Sequence, residues 1–160
     1  MLLFGNHEVN GMQRVTNCLY MKDGKALMLQ KPRRNWWVAP GGKMETGESI
    51  RDSVIREYYE ETNLRIGNPV LKGIFTMVNL RGEEIVNEWM LFSFCAKEAN
   101  GEALVDTEEG RLEWHTLDEI PSLPMAEGDR QIMNHLIQGT GVLIGTFRYT
   151  EDFKLIDYKL

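Results

Sequence analysis

The chain has 160 residues, 42% hydrophobic and 26% charged, with a formal net charge of −6. Those proportions suit one globular domain spanning residues 1–160 and exclude a disordered tail, a collagen-like fibre and a disulfide scaffold. The acidic balance argues against the broad basic face that duplex nucleic acid needs, and no stretch approaches the ~20 apolar residues that cross a bilayer. Residues 1–5 lack a basic region followed by a long apolar run, so no leader is expected there. Residues 1–12 read as a flexible extension. Cys18 and Cys95 sit in apolar runs, which suits buried thiols in a reducing cytoplasm.

In chain order, residues 13–21 are rich in β-branched and apolar side chains and predict a strand. Asp23-Gly24 marks a hairpin turn, and residues 26–30 form the return strand. Lys31-Pro32-Arg33-Arg34-Asn35 is a cationic loop. Residues 36–39 are short and apolar and run into Pro40-Gly41-Gly42, which is expected to turn. A helix starts after Thr46 or Ser49, either of which can cap it, and runs to about Thr62. Asn63 follows and tolerates a left-handed stop. Strands are predicted at 70–80, 85–97 and 111–115, a single helical turn at 117–121, and a helix at 127–138 from the spacing of Ile132, Met133, Leu136 and Ile137. Residues 142–149 and 153–158 close the chain as a hairpin. This order predicts an α+β fold, a mixed α/β sandwich, rather than a regular βαβ winding.

The chemistry concentrates between Gly42 and Leu64. On a helix, Glu57, Glu60 and Glu61 stand at i, i+3 and i+4 and share one face. Like charges at that spacing repel unless a cation sits among them. Val54, Ile55 and Tyr58 lie about a quarter turn away and can face a core, so the acidic face sits at the edge of the buried region. Three hard oxygen donors suit Mg²⁺ or Mn²⁺. An isolated E-x-x-E-E is more often a solvated acidic face, but here the wider spacing is also fixed. Gly42, five residues, Glu48, seven residues, Arg56-Glu57, two residues, Glu60-Glu61 matches six positions, and at about 7% usage each, chance agreement is on the order of one in ten million.

That spacing is the Nudix box, and the chain resembles the Nudix hydrolases of MutT type. The resemblance implies a Nudix fold and a divalent metal that activates water and neutralises a diphosphate. It implies that Glu57, Glu60 and Glu61 are metal ligands, with a backbone carbonyl of Gly41 or Gly42 completing the shell. Arg56 and Glu48 are implied to pair and orient the glutamates, and Lys43 to support the leaving phosphate. Tyr58 stands where the box has an aliphatic residue and asks for a roomier pocket or a partner for its hydroxyl. Asn63 replaces a glycine. Residues 105–114 and 117–121 and the tail 155–160 resemble MutT-type oxidised-purine triphosphatases. By that likeness Glu109, with Glu108 as fallback, is a further metal ligand or the base. Residues 13–18, 27–34 and 37–45 look closer still to the NahA (YvcI) branch of Gram-positive bacteria. That branch implies trimming of guanosine tetra- and pentaphosphate alarmones, with 8-oxoguanine nucleotides as other substrates.

The oxidised-purine enzyme of eukaryotes reads its base with an Asn before the box and with a Trp and two Asp after the Ile-Pro segment. Val38, Ala126, Gly128 and Asp129 stand at those places here, and Asp129 alone keeps its type. A filter built on base hydrogen bonds loses discrimination when those partners go. Lys31, Arg33 and Arg34 are the densest basic cluster and would serve a substrate with phosphates at both ends of a nucleoside. Trp36 and Trp37 point to opposite faces of an extended segment, one into the core and one free to stack on a base, and Trp37 is assigned to substrate.

The reading is a cytoplasmic Mg²⁺-dependent pyrophosphohydrolase of guanine nucleotides, with Glu61 or Glu109 taking the proton of water. A MutT-type 8-oxo-dGTP diphosphatase is the alternative within the class, and a non-catalytic nucleotide-binding regulator the alternative outside it. The expected partner is a small nucleotide. The apolar closing hairpin leaves monomer and homodimer both open.

Overall fold

Residues in strand β1 (Gln13–Lys22) alternate between two buried faces. Leu19 packs into the cluster around one helix, and Cys18 and Tyr20 into the cluster around the other. A strand covered on both faces reads as a nearly continuous apolar run, as this one does. The structure is a computed structural model that describes residues 12–160. The readings on residues 1–11 lie outside the described residues.

At the hairpin after β1, Asp23 and Gly24 both have positive φ, 53° and 75°, which matches the twist of a tight hairpin. Strand β2 (Lys25–Gln30) follows, then β3 (Trp37–Val38) and β4 (Gly41–Lys43). After helix α1 (Ile50–Thr62) come β5 (Arg65–Gly67), β6 (Val70–Arg81), β7 (Glu84–Ala96), β8 (Glu98–Asn100), β9 (Asp106–Thr107) and β10 (Gly110–Thr116). A 3-10 turn spans Ile120–Ser122 and helix α2 spans Glu127–Gln138, the bounds its periodicity predicts. Strands β11 (Leu143–Thr150) and β12 (Leu155–Lys159) close the chain.

The main sheet runs β12-β11-β6-β7-β1-β2-β10-β9, with β3 on β2 and β4 on β1. It is mixed: β1 lies parallel to β7 and β11 parallel to β6, while β6–β7 and β2–β10 are antiparallel. Val54 and Tyr58 of α1 bury one face, and Ile132, Met133 and Leu136 of α2 bury the other. The result is the expected α+β sandwich. β1 pairs with β2 only at its hairpin end, Met21–Lys22, so the sheet splits there. β4 occupies the free edge of β1 at Val15–Asn17, and the split opens beside it. No described helix is long and apolar enough to cross a membrane.

One expectation needs correction. Pro40-Gly41-Gly42 does not simply turn, because Gly41–Lys43 forms a strand on β1. Its two glycines permit this: a Cβ at Gly41 would strike the Thr16 carbonyl, and one at Gly42 would strike the Glu57 carboxylate. The short strands β5, β8 and β9 were not foreseen, since two or three residues carry no periodicity. Tyr58 is fully buried, and its hydroxyl has no hydrogen-bond partner among the described residues. An orphaned buried hydroxyl costs free energy. Tyr58→Phe should therefore stabilise by about 1 kcal/mol, read as a melting temperature about 2–4 °C higher. A fall in melting temperature would mean that the hydroxyl is partnered in solution.

Candidate active site

Helix α1 starts where Ser49 Oγ accepts a hydrogen bond from the Asp52 amide at 3.0 Å, so Ser49 rather than Thr46 is the cap. It ends where Asn63 takes φ 65° and its amide donates to the Tyr59 carbonyl. Both ends are fixed by local chemistry, and this sets the rotation of the acidic face. Glu57, Glu60 and Glu61 all line one cavity of about 1210 Å³ that opens at the split in the sheet. Gly42, Lys43, Lys31, Glu108, Glu109 and Asp129 line it as well.

Arg56 organises the acidic residues. Its Nε and Nη2 grip the two oxygens of Glu48 at 2.6 and 2.9 Å. Its Nη1 donates to Glu57 at 2.9 Å and to Glu60 at 3.2 Å. Nη2 also donates to the Lys43 carbonyl at 3.1 Å, which ties α1 to β4. The Arg56 hydrogen bonds hold the Glu48 carboxyl down to about 2, against some opposing burial. The same contacts raise Arg56 above its ordinary range. The cation between like charges that the sequence calls for is thus in the chain itself.

Glu61 is treated differently. It is 7% exposed, and the Gly41 amide donates to its Oε1 at 3.1 Å. Burial pushes its carboxyl up to about 7, with Glu109 and Glu57 adding repulsion, while the Gly41 amide and Lys31 pull the other way. Near neutral pH such a group can hold or release a proton, which is what general base chemistry requires. Lys31 Nζ lies 3.2 Å from Glu109 across the cavity mouth, with both side chains well exposed.

The donor set is chemically suited to a hard divalent cation. It offers carboxylate oxygens, a glycine backbone against which Glu57 seats without room for a Cβ, and an acid whose pKa is raised partly by neighbouring anions. The carboxylates share a cavity but do not close on one point. Among the described residues no three acidic, histidine or cysteine groups form a metal-holding cluster. Arg56 and the Gly41 amide account for this, because each already holds part of the set.

The predicted basic cluster does not assemble. Lys31 lines the cavity, and Arg33 and Arg34 do not. Arg34 has φ 69° and turns towards the closing hairpin. Its Nη1 donates to the Asp152 carbonyl at 2.9 Å, and its guanidinium stands over Trp36 and Phe153 at 4.9 and 5.2 Å. Arg33 is exposed and forms no ion pair with the described residues. A run of cations along a loop shares no side by necessity, and here each points its own way.

Trp37 is likewise corrected. It is 5% exposed, packs edge-on to His115 and belongs to the core. Its neighbour Trp36 faces the cavity instead, as opposite faces of an extended segment require. The apolar end of the cavity is lined by Trp36, Met77, Trp89, Leu91, Tyr149 and Phe153. Phe153, at φ 61°, makes ring contacts with Trp36, Trp89 and Tyr149. Sequence reading had Trp36 as one of two adjacent candidates for stacking, but missed the other five residues and also Asn17, which lines the cavity from β1. A polar residue at an inward position of an otherwise apolar strand was the available signal for Asn17.

Asp129 stands in the first turn of α2 and faces this end. Burial pushes its carboxyl up to about 6. The folded chain then binds this proton more tightly than the unfolded one, so stability falls as pH rises from about 4 to 6 and levels off above. Asp129→Asn should flatten that slope by about 1–3 kcal/mol. Melting temperatures of both proteins across pH 4–7 check this, and parallel curves would refute it. Of the other base-reading positions, Val38 and Ala126 line the cavity. Gly128 does not, because it packs under Tyr149, whose hydroxyl accepts from the Gly128 amide at 2.9 Å.

The NUDIX domain model matches residues 12–136. The Nudix hydrolase YvcI of Bacillus subtilis is 56% identical over 149 residues, covering 93% of this chain and 94% of that protein. The structure of a MutT protein from Bacillus halodurans superposes with a TM-score of 0.90 at 55% identity, over 92% of this chain and 97% of that one. A mouse oxidized purine nucleoside triphosphate hydrolase is 27% identical over 78% of this chain and 76% of its own length. The box spacing, the fold and these likenesses agree: the chain belongs to the Nudix hydrolases, enzymes that act on phosphoanhydride bonds in nucleotide-type substrates.

Proposed function

We propose that this protein is a cytoplasmic, Mg²⁺-dependent pyrophosphohydrolase of guanine nucleotides, either guanosine alarmones or 8-oxoguanine triphosphates. The observation that carries the reading is a single cavity joining the carboxylates of α1 to an aromatic end that holds one acidic side chain, Asp129. A polyphosphate suits the first end and a flat heterocycle the second.

In this reading Glu57, Glu60 and Glu61, with the Gly42 carbonyl and Glu109 as further donors, would hold Mg²⁺, which would supply charge neutralisation and lower the pKa of the attacking water. Arg56 and Glu48 keep Glu57 and Glu60 in place. Glu61, aligned by the Gly41 amide, takes the proton from the attacking water. Glu109 is the alternative base, but its exposure and its pairing with Lys31 favour a positioning role. Lys43 and Lys31 offer charge to the phosphates.

The likeness to an oxidized purine nucleoside triphosphate hydrolase and to a putative 8-oxo-dGTP diphosphatase of Bacillus subtilis, 27% identical each, supports a purine substrate. The alarmone alternative draws on the resemblance to the YvcI branch. Lys31 is the only member of the expected basic cluster that faces the cavity, so that cluster adds little to it. A panel of GTP, ATP, 8-oxo-dGTP, a dinucleoside polyphosphate and guanosine tetraphosphate with Mg²⁺, with products resolved, tests the proposal. The highest kcat/KM should fall on a guanine nucleotide, and a preference for the adenine or dinucleoside substrates would overturn it. Tight binding without product would favour the regulator.

A further inference from the structure

The main sheet ends at β9 and at β12, and the two ends are guarded differently. Strand β9 holds only Asp106–Thr107, too short to act as a template for another strand. Strand β12 pairs with β11 on one side, and no described strand lies along its outer side. It contains no proline. Ile156, Tyr158 and Leu160 along this edge are 47%, 45% and 48% exposed. An apolar edge with free backbone donors and acceptors is where a further strand adds.

The side chains of this edge are already held in place. The Tyr158 ring stacks on the buried Phe147, with 5.7 Å between centroids and 28° between planes. Arg148 Nη1 donates to Asp157 Oδ2 at 3.1 Å. Leu160 packs against Gly145, where a Cβ would strike its Cδ2. Groups ordered in advance lose less entropy on association. The register sets Asp157 beside Arg148, Tyr158 beside Phe147 and Lys159 beside Thr146. Asp157 and Lys159 therefore share one face of the sheet, and Tyr158 lies on the other.

The edge is self-complementary in one register. Two copies related by a twofold axis join antiparallel edges only with the axis through a residue, because opposed residues must point to the same face. An axis at Asp157 sets that carboxylate against its own copy, and an axis at Lys159 does the same for the ammonium. Like charges directly opposite are destabilising. Axes nearer either end leave most of the strand unpaired. An axis at Tyr158 sets Asp157 opposite Lys159 of the second copy, twice over. It also sets the two Tyr158 rings opposite each other and brings Ile156 beside Leu160 of the second copy. Opposite charges and apolar or aromatic partners are the favourable cross-strand pairs.

We infer that β12 is a dimerisation edge, at which a second copy of this chain adds its own β12 antiparallel about Tyr158 and continues the sheet through both molecules. The inference goes beyond the nucleotide reading and does not rest on it. The paired edges are short, so the contact belongs to the weak class, with a dissociation constant of about 1–100 µM.

Sedimentation equilibrium of the full chain across that concentration range should show a reversible monomer–dimer equilibrium. Lys159→Glu sets acid against acid and Asp157→Lys sets cation against cation. Each should weaken the dimer by about 10- to 100-fold. Both positions are exposed, so melting temperatures should stay within about two degrees of wild type. Mixed in equal amounts, the two variants should form a heterodimer of near wild-type affinity, since each substituted position then meets its opposite charge. Tyr158→Cys gives a second readout that survives a failure of Asp157→Lys to fold. Opposed Cα atoms lie about 4.5–5.5 Å apart, within disulfide reach, and Cys18 and Cys95 are buried. Mild oxidation should then give a covalent dimer. A monomer at every concentration would leave the edge to another partner and overturn the inference. A dimer indifferent to both charge variants, charge variants that stay monomeric when mixed, or a Tyr158→Cys chain that does not cross-link would overturn it as well.

Discussion

Glu61→Gln should lower kcat by about a thousandfold, within the range set by loss of a general base, while making the protein more stable at pH 8. The two effects have one cause. Glu61 sits in a buried position where its charge is disfavoured, and its carboxyl is raised to about 7. A raised carboxylate binds its proton more tightly in the folded chain. Its presence therefore lowers stability progressively as pH rises from about 4.5 to 7, and the full penalty applies above that. Glutamine keeps an oxygen to accept the Gly41 N–H and carries no charge, so it removes a penalty of about 1–3 kcal/mol. It also cannot take a proton from water. The check is kcat with Mg²⁺ beside melting in EDTA at pH 6 and pH 8, where the stability gain should be larger at pH 8. A variant that keeps a tenth of the wild-type kcat would remove Glu61 from the reacting groups.

Arg56→Ala should cost both stability and rate. Its guanidinium reaches Glu48, Glu57, Glu60 and the Lys43 carbonyl, and its side chain is 24% exposed. Removing it leaves three carboxylates without their cation and frees β4 from α1. Ion pairs on open surface contribute little. A forked, half-buried network contributes more, and its loss should cost about 2–4 kcal/mol, or roughly 5–15 °C in melting temperature. The rate should fall by about 10- to 100-fold, as for groups that orient ligands. Mg²⁺ should restore more melting temperature to this variant than to wild type, because it supplies positive charge to the same acids. Arg56→Lys keeps a charge without the fork and should fall between. Glu48→Gln should be milder than either Arg56→Ala or Glu61→Gln, since it removes one partner of the hub. A melting temperature within about two degrees of wild type for Arg56→Ala would mean that the network is solvated and carries no load.

What could be read from the sequence was whatever local spacing decides. The bounds of α2 follow from a 3.6-residue period, and the cap and stop of α1 follow from Ser49 and Asn63. The gathering of Glu57, Glu60 and Glu61 in one cavity follows from their offsets. What could not be read depends on what lies opposite. Gly41–Lys43 becomes a strand because β2 leaves part of the β1 edge free, which no window around residue 41 contains. Trp36 and Trp37 were correctly divided between core and cavity in principle, but which went where depended on β3 pairing with β2. Arg34 left the phosphate end because the carbonyl of Asp152 and the ring of Phe153, more than a hundred residues away, offered it a place.

The parallel pairings of β1 with β7 and of β11 with β6 have a kinetic meaning. Each joins segments separated by scores of residues, and neither can form as a hairpin. The cavity takes its walls from Val15 at one end of the described chain and Phe153 at the other. Long loops must close before such contacts contribute anything. The box helix and the β6–β7 hairpin can form early from near neighbours, yet a chain holding only those has no floor at Asn17 and no aromatic wall. Recovery of turnover after dilution from denaturant should therefore follow the slowest refolding phase, later than helical signal. A nascent chain would carry all its box glutamates well before it could hold a nucleotide, which delays catalysis until the closing hairpin is in place.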